Sequence, residues 1–242
     1  MRILTLNLRH GGGVRMPGLQ GWLLRQRAQV LVLTEFRNNA AGLELLAALC
    51  RGGLTHQRVS TGRPGINALA VAATQPFEAV PGALARLDPL RLLPLRFAAF
   101  ELVALHLPNL EAKLPHWSAL LRLAHREPAP ARLLMGDFNT GSDMLDAARG
   151  PFAFHGAEHW AGLEALGWVE AWRHLHPRGR QYSWYSQRGR GFRIDHAWIS
   201  TALQPSLRGA RYLHQPRLQR LTDHSALLVE LAEVGTPPAL QD

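Results

Sequence analysis

The residues best suited to chemistry in this chain stand where apolar runs stop. Asn7 interrupts "ILTLNL", Glu35 closes "VLVLTE", His106 lies in "LVALHLPN", and Asp137 and Asn139 end "LLMGDFN". Asp195 sits in "FRID", and the pair Asp223 and His224 precedes "SALLVEL". Carboxylates, amides and imidazoles are costly to bury unless they are paired or metal-bound, so their recurrence at strand ends points to one rim on which those ends converge. Hard oxygen ligands there suit Mg²⁺ or Mn²⁺, and a histidine beside them suits a phosphate. Taken singly, each residue has a plainer reading. Glu35 or Asp223 serves as a cap or surface residue, His106 as a hydrogen-bonded core histidine, and Asp137 with Asn139 as an Asx turn. The joint order favours chemistry, and period two along a strand would put Asp137 and Asn139 on one side of it.

Short strand candidates must carry these residues: "RILTLNL", "QVLVLTE", "INALAVAAT", "FAAFELVALHL", "RLLMGDF", "FRIDHAWIS" and "SALLVEL". Helical patterns lie between them at "PGLQGWLLRQRA", "GLELLAALCR", "LPHWSALLRLAHR" and "HWAGLEALGW". Strands and helices do not alternate one for one, and the candidates around 55 to 107 read as antiparallel hairpins. The pattern predicts an α/β (α+β) fold with two mixed β-sheets packed face to face and flanked by helices.

The chain has 242 residues, 47% hydrophobic and 19% charged, which excludes a disordered polymer and fits one catalytic domain over 1–233. The end, "VGTPPALQD" at 234–242, reads as a flexible tail. No apolar run approaches a membrane span, "MRILTLNLRH" lacks a signal peptide's apolar stretch, and a cytoplasmic location is the expectation. The lone cysteine, Cys50, excludes an internal disulfide and Cys-based zinc sites, and its place in "LELLAALCRGG" predicts a buried thiol at a helix end. Net charge is +9 with pI near 11.2, which favours a polyanionic partner, although Lys113 is the only lysine and an arginine excess also follows from nucleotide composition. The glycines of "HGGGVRMPG" lack the spacing of a dinucleotide loop and predict a flexible loop beside the site; no P-loop or serine elbow occurs. His174 and His176 have no third ligand partner and read as structural or substrate-side.

From "LTLNLRH" through "LTEF", "HLPN", "GDFN" and "RIDHAWIS" to "TDHSALLVE", essentially the whole chain resembles the endonuclease/exonuclease/phosphatase superfamily, and within it the exonuclease III branch that includes apurinic/apyrimidinic endonucleases. The resemblance implies a four-layered αββα sandwich and a Mg²⁺- or Mn²⁺-dependent phosphodiester hydrolase acting on DNA; no membrane and no obligate protein partner are expected. It implies that Glu35 is the principal metal ligand, assisted by Asn7. Asp137 would orient or deprotonate the attacking water, and Asn139 would hold that water or a phosphate oxygen. His224 would contact the scissile phosphate, with Asp223 fixing its imidazole and offering a metal ligand. Asp195 would help position the phosphate, the water or a second metal.

The chain departs from the branch in three places. Glu35 is flanked by Thr34 and Phe36-Arg37 where repair members usually carry Gln before and Thr-Lys after. His106 replaces the usual tyrosine, similar to deoxyribonuclease I, where the equivalent imidazole takes part in acid/base chemistry. The segment "WYSQRGRGFR" is several residues shorter than the loop with which abasic-site endonucleases would grip DNA, which leaves lesion specificity open. It is still basic and aromatic, so Trp184, Tyr185, Arg188, Arg190 and Arg193 are expected to meet substrate, arginines on phosphates and rings on unpaired bases. The alternative is a turn whose rings fill the core and whose arginines are solvated. Two other functions fit the same motifs: a phosphoesterase for lipid headgroups or small molecules, for which the sequence offers no apolar loop to seat a membrane, and an inactive nucleic-acid-binding scaffold.

Overall fold

The computed structural model describes residues 1–80, 89–125 and 130–232; the expected tail at 234–242 lies outside them. Among the described residues, fourteen strands, β1 to β14, and six helices, α1 to α6, follow in chain order. One six-stranded sheet has the order β13-β14-β1-β2-β4-β3 and comprises Leu207–Leu213, Ala226–Leu231, Arg2–Asn7, Val30–Phe36, Ala68–Ala73 and His56–Val59. The other has the order β5-β6-β7-β8-β12-β9 and comprises Phe77–Ala79, Leu92–Phe97, Glu101–His106, Arg132–Asp137, Asp195–Ile199 and Val169–Glu170. Each contains a single parallel pair, β1 with β2 and β7 with β8, among antiparallel neighbours. In both, the parallel pair is joined by a helix, α1 (Met16–Arg25) or α3 (Leu114–Ala124), as a parallel crossover requires.

The two sheets bury their inner faces against each other. Ile3, Val30, Val32, Leu69 and Val71 of the first sheet share a core with Leu102, Ala104, Leu133, Met135 and Ala197 of the second. Alternate residues face outward. Leu4, Leu31 and Leu33 meet α1 and α2 (Ala40–Arg51), while Val103, Leu134 and Trp198 meet α3 and α4 (Ala157–Ala165). The result is the four-layered αββα sandwich expected from sequence. β4 and β8 are buried along their whole length, which explains why they read as continuous apolar runs and not as alternating ones.

Two expectations change. β6 was hidden by Pro94 and Arg96; Pro94 sits where the β5 pairing runs out, its carbonyl accepting from Val80 N at 3.0 Å. Cys50 does lie at the end of α2 but is exposed, because the apolar face of that helix runs through Leu45, Leu46 and Leu49.

Candidate active site

The alternation that builds the inner core also delivers the site. On β1, Asn7 continues the inward parity of Ile3; on β7, His106 continues that of Leu102 and Ala104; on β8, Asp137 continues that of Leu133 and Met135; and on β12, Asp195 continues that of Ala197 and Ile199. Register then sets neighbours, since Asp137 lies opposite His106 on one side and Asp195 on the other. Gly136 makes the β7 approach feasible: a Cβ there would lie 1.9 Å from Leu105 O.

Glu35 breaks the rule. Its parity is that of Leu31 and Leu33, which face the helices, yet the β2–β4 register shifts between Leu33 and Phe36 and Glu35 takes φ 52°. This bulge turns the carboxylate into the site and moves Phe36, whose strand parity is that of inward Val30 and Val32, into the outer core. The segment after β1 then closes around it. Arg9 to Gly13 all have positive φ, His10 N donates to Glu35 Oε2 at 2.7 Å, and Gly11 N donates to Glu35 O at 2.7 Å. The glycines therefore form a hydrogen-bonded turn where a flexible loop was expected. Such left-handed backbone outside glycine costs energy and gathers here at Arg9, His10, Glu35 and Asn139.

Asn7 Nδ2 ties the two sheets together, donating to Glu35 Oε1 at 3.2 Å and to Asp137 Oδ2 at 3.1 Å. His106 Nε2 lies 4.0 Å from Glu35 Oε1 and 3.9 Å from Asp137 Oδ2. His224 Nδ1 is 2.8 Å from Asp195 Oδ2, and ligand atoms of Asp137, Asp195 and His224 lie within 4.8 Å of one another. Asp195 Oδ1 is buried without a hydrogen-bond partner.

The electrostatics separate these groups. Burial, with the Asp195 charge beside it, pushes the Asp137 carboxyl up to about 7, against the His224 charge and the donors on Asn139 and Asn7. Glu35 feels burial too, but the His10 N–H, the His106 ring and the Asn7 amide hold its carboxyl below the ordinary value. Burial, helped by Arg91 and His224, takes His106 down to about 4 against Glu35 and Asp195, leaving a neutral imidazole at neutral pH. His224 goes the other way, up to about 10. Burial opposes its charge, but Asp195, by charge and by hydrogen bond, outweighs it, with Asp137 and Asp223 adding to the effect.

Several expected roles move. The group that orients His224 is Asp195, not Asp223, whose half-exposed carboxylate accepts from Trp184 Nε1 at 3.2 Å. Asn139 does not share a strand face with Asp137. It lies beyond β8 at φ 49°, and its N–H donates to Asp137 Oδ1 at 2.9 Å, so the plainer Asx-turn reading describes the pair. Arg193 is 0% exposed and cannot meet a substrate; its guanidinium holds Asp146 at 2.7 and 2.9 Å and Glu170 at 2.5 Å. Arg190 is half-buried, donating to the carbonyls of Gly150 and Pro151 and stacking over Phe152 at 5.0 Å. Trp184 packs on Phe192, whereas Arg188 and Tyr185 stay exposed. His176 sits against Ala210 O at 3.3 Å at the end of the short α5 (Ala171–Leu175).

Sequence reading passed over the arginine-carboxylate network of Asp146, Glu170, Arg173 and Arg193, as well as Lys113 and Thr140. Arg173 Nη2 reaches Asp146 Oδ1 at 2.7 Å. Only the position of Thr140, directly after "GDFN", was a hint. Val14, Leu110, Met144 and Leu218 are among the exposed large apolar side chains of the described residues. Arg15 Nη1 donates to Leu221 O at 2.7 Å, and Arg217 lies 4.4 Å over the Tyr185 ring. Among the described residues no helix is long and apolar enough to cross a membrane.

The model of the Endonuclease/Exonuclease/phosphatase family matches residues 4–224. A search of curated protein sequences found no match. Similar solved structures include a 3′ phosphatase, NExo, from Neisseria bound to a product DNA hairpin, with 23% identity, 96% of this chain and 99% of that one covered, and TM-score 0.78. The 3′-5′ exonuclease NExo from Neisseria meningitidis gives 24% identity, 96% and 100% coverage and TM-score 0.78. An AP endonuclease from Archaeoglobus fulgidus gives 21%, 96%, 99% and 0.81. At these identities the likeness is one of fold.

Proposed function

The chain belongs to the endonuclease/exonuclease/phosphatase family, and from that premise we propose that it is a divalent-metal-dependent phosphodiester hydrolase acting on DNA, in the manner of exonuclease III. The observation that carries this reading is the gathering of Asn7, Glu35, His106, Asp137, Asp195 and His224 into one cluster at the meeting of two sheets. The donor set fits a small hard cation, and the partnerless buried Asp195 Oδ1 is an oxygen in want of one. Glu35, its carboxylate held by the Asn7 amide, and Asp195 through its partnerless Oδ1 would hold Mg²⁺ or Mn²⁺. When bound, the ion offsets phosphate charge and favours the hydroxide form of a coordinated water.

Asp137 is suited to take the proton of the attacking water, because its carboxyl is pushed up to about 7 and its Oδ1 is fixed by the Asn139 N–H. His224 stays protonated at neutral pH with Nδ1 held by Asp195. It therefore has Nε2 to donate to a phosphate oxygen as charge develops there. His106 is neutral in this state; its Nδ1 accepts from the Arg91 guanidinium at 3.4 Å, so Nε2–H is the atom that faces Glu35 and Asp137. Asp223 stands at the edge, tied to the Trp184 indole. A long anion is supported by the exposed arginines Arg188, Arg220 and Arg9, the last lying 4.0 Å from Asp223.

The exposed tips Val14, Leu110, Met144 and Leu218 favour a second reading, a lipid or small phosphoester. One panel tests both. Purified protein with Mg²⁺, Mn²⁺ or chelator is given end-labelled intact, nicked and abasic-analogue duplexes, a single strand, phospholipid vesicles and a small phosphomonoester. Metal-dependent cutting of DNA, with the product ladder assigning the mode, supports the nuclease. Turnover of vesicles or the small ester alone replaces it with the second reading.

A further inference from the structure

Lys113, the chain's only lysine, ends a 3-10 turn at Leu110–Lys113 and is 2% exposed. Its ammonium donates to Asn139 O and, at 3.0 Å, to Thr140 Oγ1; among the described residues it makes no salt bridge with a carboxylate. Burying an ammonium with no paired anion is costly, and a neutral donor would serve a purely structural need. The two groups it holds belong to the turn that follows Asp137. Asn139 is left-handed at φ 49°, a conformation that must be imposed. Its N–H is fixed on Asp137 Oδ1 at 2.9 Å and its Nδ2 on Leu107 O at 2.9 Å, so with the carbonyl taken by Lys113 three of its four polar groups have partners. Thr140 is fixed as tightly: Trp117 Nε1 reaches its hydroxyl at 3.3 Å, the hydroxyl reaches His155 O at 3.2 Å, and His196 Nε2 lies 2.8 Å from its carbonyl.

We propose that Lys113 is a positioning residue, whose ammonium pins the Asn139 carbonyl and the Thr140 hydroxyl and so fixes the turn whose Asn139 N–H holds the Asp137 carboxylate in the site. Asp137 is moreover the charge that opposes the burial penalty on this ammonium, so the two groups sense each other through the turn. The consequence for rate rests on the hydrolase reading above; the consequence for the turn does not.

The test compares wild type with Lys113→Met, Lys113→Arg, Asn139→Ala and the Lys113→Met/Asn139→Ala double variant. Three readouts are taken: kcat and KM on whichever phosphoester the wild type cleaves, thermal unfolding, and backbone hydrogen exchange across residues 137–141. The expected result for Lys113→Met is a kcat loss on the order of 10²-fold with KM little changed, since a misplaced catalytic group acts on the transition state. Lys113→Arg restores part of it. In the Asn139→Ala background the lysine change adds little, because both act through the same turn. Exchange at 137–141 speeds up in Lys113→Met while the rest of the protein keeps its protection. Wild-type kcat, or losses that multiply in the double variant, would overturn the proposal. Absence of hydrolysis by the wild type with any metal sinks the hydrolase reading, and the exchange measurement still decides: unchanged exchange at Asn139 overturns the positioning role. If Lys113→Met does not fold, Thr140→Val removes one of the two contacts and is read the same way.

Discussion

Two titratable side chains at the centre of the site, Asp137 and His224, are pushed by their surroundings into opposite effects on stability. Asp137 is pushed up to about 7, chiefly by burial, so its ionised form is a cost to the fold above the ordinary carboxylate range near pH 4. Asp137→Asn is therefore expected to abolish hydrolysis and yet raise the unfolding temperature at pH 8, a trade typical of groups kept for chemistry. A variant that turns over like wild type removes Asp137 from the mechanism. His224 has the opposite linkage. Its folded value lies about 10, above the ordinary value near 6.5, so the pair with Asp195 stabilises fully below about pH 6.5 and the contribution is lost as pH rises through about 10. Denaturant midpoints of wild type and His224→Asn should converge between pH 7 and 10; a constant gap would mean that His224 is not a stabilising cation.

At the scale of elements, the arginine network holds β9, β12 and the loop after β8 in one arrangement. Arg193, just before Asp195, joins Asp146 of that loop to Glu170 of β9, and Arg193 N also donates to Asp146 O at 2.8 Å. Burial penalises both carboxylates, but the Arg193 charge, seconded by His196, holds both below their ordinary range. Arg193→Met leaves two buried anions short of a partner and should cost about 3–5 kcal/mol in urea unfolding. Depressed carboxylates stabilise above their unfolded values, so this contribution is present above about pH 4 and lost as pH falls through the folded values. The stability gap between wild type and Arg193→Met is thus expected to narrow on acidification. An unshifted midpoint at pH 7 would deny the network its part in positioning Asp195.

Across the whole molecule, the charge of +9 matters where it is exposed beside the site. Arg9, Arg188 and Arg220 are exposed, Arg9 within 4.0 Å of Asp223, while Arg193 is consumed by packing. Replacing these three by alanine should weaken DNA binding and flatten log K against log salt by up to about 0.9 per lost phosphate contact, without altering unfolding. The same slope for wild type and the triple variant would assign the arginines to solvation. A cation held between the sheets binds the folded chain alone, so Mg²⁺ or Mn²⁺ should raise the unfolding temperature in proportion to the logarithm of its concentration. Glu35→Ala should reduce that shift, which differential scanning calorimetry checks.

What the sequence determined by itself was the set of strands with inward polar ends. Strand alternation is local, so Asn7, His106, Asp137 and Asp195 inherit their direction from the apolar residues two and four positions away. Tertiary structure decided the rest. Glu35 reaches the site through a bulge that pairing with β4 creates, and His224 lies before β14, where a bridge to Trp184 holds it against Asp195. Neither is carried by periodicity, because each depends on a partner strand distant in sequence. The same holds for charge: an arginine's letter does not tell whether it meets solvent, as Arg188 does, or two buried carboxylates, as Arg193 does, since that depends on where Asp146 and Glu170 are brought by the fold.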